Sequence, residues 1–132
     1  MYVVADFSQM KSIADYEKLV QEKISKIDVG ILILNAGVGG MGPFSEIRNK
    51  DIEILVNVNA LHVIYFSKVM VNQLLKRFED TKVKSGILIT SSGLGERPMA
   101  GTITYSACKS FAGFIGEGLN FELEGKVDVI NY

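Results

Sequence analysis

The chain has no tryptophan, one cysteine, one histidine and two prolines in 132 residues. A lone Cys108 excludes an intrachain disulfide, so no covalent staple helps the fold. A lone His62 excludes a histidine-based metal cluster. No carboxylates group at ligand spacing either, so no metal is expected. Neither charge sign dominates: 14 Lys and Arg face 15 Asp and Glu, a formal net charge of -1. That balance offers no grip on a phosphate backbone, and nucleic acid is excluded as a partner. No signal peptide is expected in the given sequence, because "MYVVADFSQMKS" lacks a charged start and a long apolar run. The most apolar stretch, Leu55 to Leu75, carries Asn57, Asn59, His62, Lys68, Asn72 and Gln73. Polar groups at that density are costly in hydrocarbon, so the stretch reads as a buried helix and no transmembrane segment is expected.

What remains describes one globular domain. Apolar residues make up 48% and charged residues 22%, a mixture that can bury a core at this length. "YVVA" before Asp6 reads as a short strand. Ile13, Tyr16, Val20, Ile24 and Ile27 recur at helical spacing, and Ser12 with Asp15 resembles a capping box at the start. "GILIL" (30–34), "GILIT" (86–90) and "KVDVIN" (126–131) read as strands buried on both faces. Ser45 is expected to cap a short helix through Ile54. Longer helices are expected over about 58–78 and 104–123. Glycine-rich loops, "NAGVGGMGP" and "SSGLGERPMAG", follow the first two buried strands. Strands alternating with helices imply an α/β fold with a parallel sheet. Ligands of such folds bind at the carboxyl ends of strands, where both loops fall.

Tyr105 and Lys109 stand four residues apart on the last helix, hence on one face. An ammonium beside a phenol favours the phenolate, and a phenol so tuned can exchange a proton with an alcohol or ketone. Ser92, thirteen residues before the tyrosine, can hydrogen-bond the same oxygen. The chemistry also needs a hydride carrier. Cys108 reads as a small buried thiol, and His62 as a satisfied polar group of its helix. Glu96 and Arg97 lie where they could touch substrate.

Four segments in order, "LILNAG" (32–37), "VNVNA" (56–60), "ITSSG" (89–93) and "YSACK" (105–109), resemble the short-chain dehydrogenase/reductase family over nearly the whole chain. The resemblance implies a doubly wound Rossmann fold, three-layer α/β/α with parallel strands, and an NAD- or NADP-dependent oxidoreductase, NADP being favoured. It implies that Tyr105 is the catalytic acid/base and that Lys109 holds the nicotinamide ribose and tunes the tyrosine. Ser92, rather than Ser91, polarises the substrate carbonyl. Asn59, at a break in the long helix, holds a relay water. Asn35, Ala36 and Gly37 lie beside the adenosine ribose, and Asp6 contacts the adenine.

"GPFSEI" and the "YSACK" form are similar to the hydroxysteroid dehydrogenase and long-chain ketoacyl-CoA reductase branch. The implied substrate is therefore a small-molecule alcohol or ketone of lipid, steroid or ketoacyl type. The implied partner is a second copy, joined through the 58–78 and 104–123 helices. That surface is expected to include Leu61, Ile64, Phe66, Met70, Phe111, Phe114 and Ile115.

Family members begin with a glycine-rich strand-turn-helix that seats the pyrophosphate, and end with a substrate lid. Neither is visible here, so residues 1–132 are expected to be a single partial NAD(P)-binding domain with strand "YVVA" unpaired. A cytoplasmic location is expected, or the endoplasmic reticulum surface if a membrane-anchoring N-terminus exists. The competing expectation is an inactive remnant or a dimerisation module.

Overall fold

The three buried runs become three parallel strands in this computed structural model, which describes residues 2–132. Strands β1 (Ile31–Leu34), β2 (Ser85–Ile89) and β3 (Val127–Asn131) lie side by side in that order. Their register places Leu32, Ile87 and Val129 in one row. Branched side chains at these positions suit a pleated surface covered by helices. The crossovers are α1 (Ile13–Lys23) before β1, then α2 (Asn49–Val56) and α3 (His62–Thr81) between β1 and β2. A short α4 (Gly93–Glu96) and the long α5 (Ile103–Glu122) join β2 to β3. Parallel strands linked by helices make this the Rossmann-like, doubly wound α/β arrangement.

One core runs between sheet and helices. Leu32, Leu34, Ile87, Ile89, Val127 and Val129 pack against Val20 of α1, Met70 and Leu74 of α3 and Ala112 of α5. The strands were expected to be buried on both faces, but burial alternates along β1. Ile31, Ile33 and Ile130 on the opposite face are more than half exposed. The helices among the described residues supply one of the two helical layers, and period-2 alternation does the rest.

Three other expectations change. "YVVA" is no strand: Tyr2 to Asp6 are irregular and exposed, since no strand stands beside them to complete a ladder. The short helix starts at Asn49 rather than at a Ser45 cap. Ser45 lies in a 3-10 turn, Phe44–Glu46, and Arg48 clamps Asp51 in the first helical turn at 2.7 Å. Met70, expected on a partner surface, is fully buried, whereas Phe114 and Phe121 of α5 are three-quarters exposed. The capping of α1 does form, with the Asp15 carboxylate accepting from the Ser12 N–H at 2.9 Å. Those bonds, with its Ser12 backbone partner foremost, lower the Asp15 pKa.

Between α2 and α3 the helix does not stop. A π turn, Asn57–Leu61, joins them into one rod from Asn49 to Thr81, and Asn57, Val58, Asn59 and Ala60 are buried in it. The rod is long and apolar enough to cross a bilayer, yet half of its most apolar window is buried against the rest of the chain.

His62, expected to be a satisfied polar group, is buried, and among the described residues neither ring nitrogen has a hydrogen-bond partner of good geometry, the Val58 backbone being the polar group beside it. Phe7 stacks on it at 5.1 Å, and Phe7 also stacks on the buried Tyr16. These rings hold the irregular N-terminal segment down where a strand ladder is missing. Burial pushes the His62 pKa down to about 4, with the Lys109 charge adding to it. Above pH 6.5 the imidazole is neutral whether folded or unfolded. As pH falls from 6.5 towards 4, only the unfolded chain gains the proton, and stability is lost by roughly 3 kcal/mol. Urea midpoints should therefore fall over that interval, and His62→Phe should flatten the fall. An unchanged pH slope in His62→Phe counts against this account.

Candidate functional site

Thr90 is the first residue past the end of β2, and much converges on it. Its N–H donates to the Leu34 carbonyl at 3.1 Å, and its hydroxyl donates to Asn35 Oδ1 at 2.9 Å. Its carbonyl accepts from Lys109 Nζ at 2.7 Å. One residue thus ties the Asn35–Gly37 loop to the lysine of α5.

Lys109 is 4% exposed, and no carboxylate pairs with it among the described residues. Its ammonium lies 5.8 Å from the centre of the Tyr105 ring. Burial lowers its pKa. Burial likewise raises the pKa of the neighbouring Cys108 thiol, as a structural cysteine requires.

Asn59 lies in the π turn and is held by three hydrogen bonds to the loop after Gly37 and to α2. Its Nδ2 donates to the carbonyls of Val38 at 2.9 Å and Leu55 at 3.0 Å, and its Oδ1 accepts from the Val38 N–H at 3.1 Å. The extra residue in a π turn offsets the local hydrogen bonds and aims this side chain at the loop. Gly37 sits between Asn59 and Lys109. A Cβ there would stand 3.1 Å from Asn59 Oδ1 and 3.7 Å from Lys109 Nζ. The glycine therefore keeps open the space that the amide and the ammonium share.

Ser92 begins α4, its Oγ accepting from the Leu94 N–H at 3.2 Å. Ser91 instead turns inward and donates to the Lys109 carbonyl at 3.0 Å. Ser92, Glu96 and Lys109 share one groove of about 400 Å³, which Arg97 does not line. Among the described residues no hydrogen bond joins the Ser92 hydroxyl to Tyr105. The tyrosine meets the group through Lys109.

Asp6 stands apart. It is exposed and accepts from the Ser8 N–H at 2.9 Å, while Asn57 Nδ2 anchors the Ser8 carbonyl at 3.2 Å. No hydrogen bond connects Asp6 to Asn35, Ala36 or Gly37 among the described residues.

Sequence reasoning passed over Thr90 and Gly95. At Gly95 an added Cβ would stand 2.9 Å from the backbone of Lys109 and Ser110. Only a glycine lets α4 rest directly on α5, and that contact sets Ser92 against Lys109. Gly95→Ala meets backbone, which cannot swing aside. It should lower stability by about 1–3 kcal/mol in urea unfolding, while Gly93→Ala, with open space at its Cβ, should not. Equal losses in the two variants would remove the close-contact role.

The comparisons with known proteins point one way. The profile described as short chain dehydrogenase matches residues 1–132. A very-long-chain 3-oxoacyl-CoA reductase from Podospora anserina is 33% identical, with 89% of this chain aligned to 33% of that one. The solved bulky-bulky ketone specific alcohol dehydrogenase from Comamonas testosteroni matches with a TM-score of 0.81 at 30% identity, over 98% of this chain and 49% of that one. A short-chain dehydrogenase from Sphingobium yanoikuyae, solved with NADPH, matches with a TM-score of 0.76 at 28% identity, over 96% and 47%. The chain spans a third to a half of the length of the curated relatives it matches. With its whole length covered by the profile, the chain belongs to the short-chain dehydrogenase family of oxidoreductases.

Proposed function

We propose that the protein is an NAD(P)-dependent oxidoreductase interconverting an alcohol and a ketone, with a lipid-like 3-ketoacyl compound as substrate. One observation carries this reading: Lys109 is buried with no counter-ion among the described residues, beside Tyr105, Asn59 and Gly37. A lysine buried for structure alone is normally paired, and an unpaired one in a cleft marks a working site.

The residues present fit a nicotinamide dinucleotide. The Lys109 ammonium has donors to spare for a ribose diol, and the Asn35–Gly37 loop lies beside it at the strand end. When bound, the nicotinamide supplies or takes the hydride. Tyr105 gives the proton to the substrate oxygen, or takes it in the reverse direction. Lys109 sets its positive charge beside the Tyr105 ring. Ser92 exchanges its Leu94 contact for the substrate oxygen, and Asn59 holds a water behind Lys109. Asp6 takes the adenine amino group.

NADP is preferred over NAD, and the location is cytoplasmic. Residues 1–132 act as the central and catalytic part of one dinucleotide-binding domain, with the pyrophosphate cradle supplied by other chain. Exposed Phe114 and Phe121 support self-association through the 58–78 and 104–123 helices. The same exposure favours the second reading, a dimerisation module without activity.

The test is consumption of NADPH with a long-chain 3-ketoacyl-CoA as substrate, followed by the absorbance of the reduced cofactor. Turnover that needs both components is expected. A self-associating protein that turns over neither NADPH nor NADH with any alkyl ketone supports the module instead.

A further inference from the structure

Thr90 brings two polar groups to the candidate site that the sheet does not use. Its N–H continues the pairing of β1 with β2 by donating to the Leu34 carbonyl. Its carbonyl receives the Lys109 ammonium at 2.7 Å, and Ser91, the next residue, donates to the Lys109 backbone carbonyl at 3.0 Å. Two consecutive residues thus hold the lysine at its tip and at its base. The Thr90 hydroxyl is left over for another task. It donates to Asn35 Oδ1 at 2.9 Å, 55 residues back along the chain.

A hydroxyl has a single hydrogen to give. Spent on Oδ1, it fixes which way the Asn35 amide faces: oxygen towards Thr90, NH2 away from it. Asn35 is exposed, and among the described residues no hydrogen bond uses its Nδ2. The Lys109 ammonium makes a hydrogen bond to Thr90 and to no other described residue, so it too has N–H groups to spare. The strand end therefore shows only donors from the two side chains that Thr90 holds. Donors suit the hydroxyl and phosphate oxygens of a dinucleotide. We propose that Thr90 is a positioning residue of the dinucleotide site, its hydroxyl keeping the NH2 of Asn35 turned towards the cofactor. The proposal rests on the oxidoreductase reading and adds the group that orients the loop. Valine at this place has the same shape and the same backbone carbonyl, so Lys109 keeps its seat. The amide, whose two ends are alike in shape, is then free to turn its oxygen outward, where it repels the oxygens of the ligand.

The test compares Thr90→Val, which loses the hydroxyl, with Thr90→Ser, which keeps it and loses the methyl group. The full chain is labelled with nitrogen-15 and the Asn35 side-chain NH2 is followed. Without ligand, its heteronuclear NOE should be high in the wild type and in Thr90→Ser, and lower in Thr90→Val. NADPH should shift the group saturably in the wild type. The dissociation constant should rise roughly three- to tenfold in Thr90→Val and stay within about twofold in Thr90→Ser. A residue that only fills space gives the reverse order, since valine fills it and serine does not. Wild-type affinity or an unchanged NOE in Thr90→Val, equal loss in both variants, or an Asn35 NH2 that NADPH leaves unshifted in the wild type overturns the proposal. Binding is read here and not turnover. Saturable shifts in a protein that reduces no ketone would sink the oxidoreductase reading alone and leave the role of Thr90 standing.

Discussion

Tyr105→Phe should cut turnover by about a hundredfold or more and leave cofactor affinity nearly unchanged. The ring stays in place 5.8 Å from Lys109, so the shape of the site is kept and only the proton donor is lost. General acid catalysis is typically worth 10² to 10⁴, which sets the size. Steady-state turnover and cofactor titration on the same preparation separate the two effects. A variant that keeps most of its activity removes the tyrosine from the mechanism. One that loses cofactor affinity as well shows the hydroxyl to be a binding group.

Lys109→Met should harm both quantities. Methionine has nearly the length of lysine and suits a buried position, so packing is preserved. Two things go with the ammonium: the donor to the Thr90 carbonyl and the donors offered to the ribose. Turnover should fall by at least about a hundredfold, as for the tyrosine, and the cofactor should also bind less tightly. Full cofactor affinity in Lys109→Met would assign the ribose to other residues.

The sequence announced what depends on short-range pattern. Apolar runs of branched residues at 30–34, 86–90 and 126–131 became the sheet, and helical spacing placed α1 and α5 within a few residues. The family resemblance put Asn59 at a break in a long helix, and a π turn lies there. Features set by distant neighbours were not legible. "YVVA" has the composition of a strand, but a strand needs another beside it. Ile31 and Ile33 look like core residues until the helices are seen to lie on the other face. His62 sits on an apolar stripe like any satisfied polar group, and only packing shows that Phe7 stacks on it. Thr90 and Gly95 matter through contacts 19 or 14 residues along the chain, to Lys109, and nothing in their immediate surroundings marks them. The four-residue spacing of Tyr105 and Lys109 put them on one helix face, and the ammonium lies 5.8 Å from the ring centre.

The π turn is a place where the long rod can change length. Each residue of an α-helix advances it by about 100° around its axis, and the wider π turn spends one residue more on about the same rotation. Removing one residue between Asn57 and Leu61 would let the turn relax to ordinary winding with Met70 and Leu74 still facing the sheet. What would be lost is the offset that aims Asn59 at the 38–43 loop. A deletion further along the rod finds no such slack, and it would swing Met70 and Leu74 off the sheet. The surplus residue thus serves the site and not the packing of the rod.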